Sequence, residues 1–225
     1  MGFIKQFQFA WVFALLLVTA PVIGENNSSK ETTSNGSSNS ALHLKALLEP
    51  VHSLRGSFTQ VLRDAEGLVL QESEGKFAVQ RPGKFLWHTA APFEQVLLSD
   101  EKELFLYDPD LEQMTIRPVD ERLQQTPLLI LSGETTQLLK HFEVKQLSDD
   151  RFELTPKSES GSGAGSAFQT LTMAFKDKTL SQIILLDGLG QQTALDFSQL
   201  LVNPVLDAAV FTLEVPPGTD ILRDE

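Results

Sequence analysis

Cysteine is absent from this chain of 225 residues. That absence excludes disulfides, a thiol nucleophile and any cysteine that could be acylated. It does not argue against export, because a chain of this length buries about 70% of its unfolded surface without a covalent staple. Basic residues are also scarce: 18 Lys and Arg face 30 Asp and Glu, and the formal charge of −12 is spread along the chain. Nucleic acid is therefore excluded as a partner, whereas basic protein surfaces fit, with electrostatics assisting encounter more than affinity. The few histidines, His43, His52, His88 and His141, are scattered, and no pair has zinc-ligand spacing on a helix. Gly161 to Ser166 lacks the lysine of a phosphate loop and the nucleophile elbow of a hydrolase, and reads as a flexible hairpin connection. Asp108-Pro109-Asp110 reads as a turn rather than a calcium cage. No catalytic residue, cofactor or metal is expected, and no repeat of 20–50 residues is present.

The first residues do carry a long apolar run. Lys5 precedes Phe7 to Ile23, which Pro21 interrupts and Gly24 ends. This is the pattern of a secretory signal peptide over residues 1–24. Cleavage after Gly24 places Val22 and Gly24 at the small-residue positions, whereas cutting after Ala20 would leave Pro21 next in line. An uncleaved anchor is the alternative, but the run falls short of the ~20 uninterrupted apolar residues that cross a bilayer. Residues 25–40, rich in Ser, Asn and Thr, cannot offset the entropy of ordering and read as a flexible tether. Residues 41–225 form the remaining domain.

That domain opens with Leu44, Leu47, Leu48, Val51 and Leu54 at helical spacing, so the pattern predicts an amphipathic helix from Ala41 to Arg55, broken or kinked at Pro50. After Phe58 the period becomes two. Strands are predicted at Lys76–Gln80, Phe85–Thr89, Gln95–Ser99, Glu103–Tyr107, Gln113–Arg117, Glu143–Gln146, Phe152–Thr155, Phe168–Phe175, Gln182–Leu186, Ala194–Gln199 and Phe211–Val215. Two short helices interrupt them. Thr126 to Gly133 combines a capping threonine, proline at the first helical position and a terminal glycine, and Thr136 to Phe142 follows. The fold class is mainly β: a single large curved antiparallel sheet, an incomplete barrel lidded by the helices. Its concave side is either an ordinary core or a ligand hollow. The sheet's length favours a hollow that the chain's own side chains leave unfilled.

One short stretch combines charge with this architecture. Arg81-Pro82-Gly83 forms a turn into a strand that puts Phe85 and Trp87 on one face. Arg81 reads either as a solvated hairpin charge or as the cation of a switch or ligand mouth.

The order of several motifs then resembles the LolA family of periplasmic carriers. They are Ser57-Phe58-Thr59-Gln60, Gln71-Glu72 with Gly75, Arg81-Pro82 through Phe85-x-Trp87-His88, and Pro92 with Gln95. Tyr107 to Gln113, Thr126-Pro127-Leu128-Leu129, Asp187-Gly188-Leu189-Gly190-Gln191 and Phe211-x-Leu213-x-Val215-Pro216-Pro217-Gly218 continue the series. The resemblance implies a half-open barrel in the periplasm whose hollow receives the acyl chains of outer-membrane lipoproteins. It implies a monomer, loaded by an inner-membrane ABC-type lipoprotein-releasing complex and unloaded at the outer-membrane receptor LolB. Arg81 would hold the lid shut through hydrogen bonds to backbone carbonyls. Leu48, Val51, Phe58, Phe77, Phe85, Trp87, Leu129, Leu131 and Ile183 would line hollow and lid. A LolB-like receptor is the runner-up, although it would need a cysteine at its mature N-terminus. A periplasmic lipid-active hydrolase would need a nucleophile paired with a base, which the sequence does not offer.

Overall fold

The computed structural model describes residues 34–119, 131–132, 135–157 and 168–223. The predicted leader, the first part of the tether and most of Thr126 to Gly133, Leu129 included, lie outside the described residues. Helix α1 spans Ser34–Leu48 and helix α2 Thr135–His141. The strands are β1 Ser53–Arg63, β2 Val69–Gln80, β3 Lys84–Thr89, β4 Gln95–Asp100, β5 Glu103–Asp108 and β6 Gln113–Pro118. They continue as β7 Phe142–Ser148, β8 Arg151–Pro156, β9 Thr170–Lys176, β10 Thr179–Leu186, β11 Gln192–Val202 and β12 Asp220–Arg223. All belong to one open, curved sheet in the order β12-β6-β5-β4-β3-β2-β1-β11-β10-β9-β8-β7. Neighbours pair antiparallel except β12, which runs parallel to β6.

Period-two alternation decides which side of the sheet is the core. On β1, Leu54, Phe58 and Leu62 are buried while Arg55 and Thr59 are exposed. Register carries that face across Phe77 and Val79 of β2, Phe85 and Trp87 of β3, and Leu97 of β4. In the other direction it passes through Leu195, Ile183, Met173 and Phe152. Two glycines make room for its rings. A methyl group on Gly75 would lie 2.0 Å from the carbonyl oxygen of His88 and 2.7 Å from the ring of Phe58; one on Gly56 would lie 2.6 Å from Leu200.

Three local expectations need correction. The first helix starts at Ser34 rather than Ala41, taking in the end of the predicted tether, and stops at Leu48, so Leu54 belongs to β1. Pro50 ends it outright. Asn203 then fixes the following turn, its Oδ1 accepting from the backbone N–H groups of His52 and Ser53 at 2.7 and 3.2 Å and its Nδ2 donating to the Pro50 carbonyl at 2.9 Å. Phe211–Val215 is not a strand. Ala208–Phe211 forms a 3-10 turn that packs on β3 and β4 and buries Phe211, and the last strand comes later, at Asp220–Arg223.

Both open edges of the sheet are managed. Beyond β6, β12 adds a short exposed strand tied by Arg223 to Glu103 at 3.0 Å. At the far end α1 packs on β7, and the Ser40 hydroxyl accepts from the Gln146 N–H at 3.2 Å.

The glycine geometry yields a test. Gly75→Ala is expected to cost about 1–3 kcal/mol of stability by overpacking. Gly188→Ala, whose added methyl meets nothing within 4 Å, is expected to change stability by less than about 0.5 kcal/mol. Urea unfolding of the two variants checks the contrast.

Candidate functional site

Arg81 stands where β2 gives way to the turn, held by its own N–H, which donates to the His52 carbonyl at 2.9 Å. The guanidinium is half-buried rather than solvated, and three oxygens surround it. Nη1 donates to the Leu48 carbonyl at 2.8 Å and to the Thr135 hydroxyl at 3.2 Å; Nε donates to the Leu131 carbonyl at 3.1 Å. Two residues on, the Gly83 N–H donates to the Ser132 carbonyl at 2.9 Å. One turn therefore ties together the end of α1, the helical residues Leu131 and Ser132, and the start of α2. Burial pushes the guanidinium's pKa below its usual value, although arginine still keeps its proton across the ordinary pH range.

Beneath this contact lies an aromatic floor. Phe58 stacks on Trp87 with ring centroids 3.8 Å apart, Phe77 lies 5.6 Å from Trp87, and Phe197 reaches both Phe77 and Trp87 at 5.1 and 6.4 Å. Phe85 and Ile183 are buried on the same face. Leu48 and Leu131 are buried from the helical side, and Val51 is half-buried on the turn after α1. The structure thus brings the predicted residues together, apart from Leu129, which lies outside the described residues.

Among the described residues, side chains of the helices occupy part of the expected hollow. Among the described residues, an apolar crevice of about 40 Å³ lies between α1, Leu131 and the sheet, lined by Leu47, Leu48, Val51, Leu54, Val79 and Leu180, with Arg81 at its margin. A site that encloses a drug-sized ligand needs roughly 300–1,000 Å³. The reason is local: Leu44, Leu48 and Leu138 of the helices are buried, and His43 of α1 meets Phe152 edge-on at 5.2 Å. Among the described residues these side chains cover the concave side next to Arg81, and the crevice they leave is smaller than a long apolar guest.

Sequence reasoning missed Thr135, Val79, Leu180 and Asn203. The alternation of β2 and β10 could have supplied Val79 and Leu180. Nothing in the sequence signals a hydroxyl that accepts from an arginine 54 residues away.

An apolar curved sheet closed by hydrogen-bonded helices is the architecture of a binding protein for apolar ligands. Residues 49–214 match the family model for "Outer membrane lipoprotein carrier protein LolA". The chain belongs to that family. Among curated relatives, an outer-membrane lipoprotein carrier protein of Chromohalobacter salexigens is 40% identical over 85% of this chain and 90% of its own length. The protein of the same name from Azotobacter vinelandii is 40% identical over 80% and 86%. A LolA superfamily protein of Nitrosomonas europaea has a solved structure that covers 80% of this chain and 99% of its own, with a TM-score of 0.49 and 13% identity.

Arg81→Leu removes the guanidinium from the Leu48 and Leu131 carbonyls and leaves Leu48 with only the Val51 N–H at 3.1 Å. Amide exchange at the end of α1 and the start of α2 is expected to accelerate about tenfold, the scale of one charged hydrogen bond, while strands β9 and β10 keep their protection. Exchange unchanged at the helices would show that the bonds hold nothing.

Proposed function

We propose that this protein is a periplasmic carrier that shields the acyl chains of outer-membrane lipoproteins in transit, with a transport role and no catalysis. It accepts cargo from an inner-membrane ABC-type releasing complex, delivers it to LolB, and works as a monomer exported by the leader of residues 1–24. The observation that carries this reading is the bonding of Arg81 to helices seated on an apolar sheet, in a chain of the carrier family. The runner-up receptor loses ground, since the family matched is the carrier's and no cysteine is available for anchoring.

The closed hollow explains release as well as binding. Each acyl methylene moved out of water is worth about 0.8 kcal/mol, so free lipoproteins would partition into the nearest membrane. A carrier must outcompete water yet lose to its receptor. Leu44, Leu48, Leu131 and Leu138 supply the competitor: when cargo leaves, these side chains return to the concave face, and Arg81 secures them. Cargo affinity is the acyl burial less the burial and hydrogen bonds that the lid forfeits.

The mature chain recovered from periplasm is expected to carry acylated lipoproteins, while the same lipoproteins made without acyl groups do not co-purify. Recovery of both alike would defeat the reading. The absence of native cysteine permits a second test. In the double variant Leu47→Cys, Thr179→Cys, two crevice-lining positions, a short reducible cross-link is expected to abolish cargo uptake, and reduction to restore it.

A further inference from the structure

The concave face changes character along β1 and β2. Running down β2, its inward residues are Val79, Phe77, Gly75, Ser73 and Gln71: two large apolar groups, a glycine beneath the ring of Phe58, then two polar side chains. Their outward neighbours Glu72, Glu74 and Lys76 are exposed, so the polar pair lies on the core face. On β1, the inward row passes from Phe58 to Gln60, which stands opposite Ser73 on one side and Leu195 on the other. One step further, Leu62 separates Gln71 from Thr193. A polar step therefore borders the aromatic floor.

The hydroxyl oxygen of Ser73 is buried and has no hydrogen-bond partner. Its cross-strand neighbour Gln60 is half-buried on the same face. A buried hydroxyl left unpaired costs about 1–3 kcal/mol, and such groups at a binding surface are explained when a ligand supplies the partner. The donors here are neutral. No lysine or arginine shares the inward rows of β1 and β2 between Phe58 and Leu62 or between Gly75 and Gln71. A carboxylate or phosphate would therefore meet no countercharge, whereas an uncharged ester or amide carbonyl would find a hydroxyl and a carboxamide, each able to donate.

We propose that Ser73 and Gln60 form a subsite for the ester and amide carbonyls that join acyl chains to a lipoprotein's N-terminal cysteine, while the chains themselves lie on the Phe58, Trp87 and Phe197 floor. This rests on the carrier reading and adds the part of the ligand that is recognised. The subsite selects acyl-ester and acyl-amide lipids over free fatty acids, whose head is an anion.

The test uses the full mature chain with two probes, a tripalmitoylated cysteinyl peptide and palmitate. Ser73→Ala is expected to weaken the lipopeptide about five- to tenfold, to leave palmitate unchanged, and to leave the melting temperature of the free protein equal or higher, since an unsatisfied hydroxyl has been removed. Ser73→Thr, which keeps the hydroxyl, is expected to retain lipopeptide binding, and Gln60→Leu to repeat the loss. Equal affinity of wild type and Ser73→Ala for the lipopeptide overturns the subsite, as does an equal loss for both probes or a lowered melting temperature that accounts for the loss. A wild-type chain that binds neither probe overturns the carrier reading itself.

Discussion

A half-buried cation facing backbone carbonyls is the constraint around which the helical side of this molecule is arranged. Arg81 reaches oxygens from three separate segments because a guanidinium is planar and carries donors in several directions at once, which an ammonium on a flexible stem cannot reproduce. Taking that charge out of water works against the hydrogen bonds it makes, as the downward displacement of its pKa shows. Attraction and desolvation partly cancel. The result is a contact specific in where it forms and modest in how hard it holds.

The same balance governs the apolar side. A fully buried leucine contributes about 1.5–3 kcal/mol, so the few that the helices press against the sheet make a substantial filling beside the crevice of about 40 Å³. A permanently empty trough would expose apolar surface and invite aggregation. Side chains of the helices that cover it keep that apolar surface out of water.

Much of this was legible in the sequence, for identifiable reasons. Strands β3, β6, β7 and β8 alternate because one face is more buried than the other, and the bounds of β3 to β8 fall within a residue or two of the expected ones. The first strand was hidden by continuity: Val51 and Leu54 extend the spacing of Leu44, Leu47 and Leu48, and only the clamp from Asn203, distant in sequence, shows that the chain has already turned. Phe211-x-Leu213-x-Val215 misled in the opposite way, alternating like a strand with no neighbouring strand to pair with. Arg81 was legible from its motif. Its partners were not, since two of the three are backbone carbonyls, which leave no trace in side-chain identity.

Opening is also confined by what the first helix covers. Along its middle α1 shields β7, the last strand of an open sheet, with Ser40 accepting from an edge amide and His43 resting on Phe152 of β8. Lifting the whole helix would strip that edge and offer unpaired backbone to other chains. At its C-terminal end the restraint is different, a carbonyl held by Arg81 and a turn already bent by Pro50. A motion that released the second contact and kept the first would disturb less packing than lifting the whole helix, and would act on the crevice beside Leu54 and Val79.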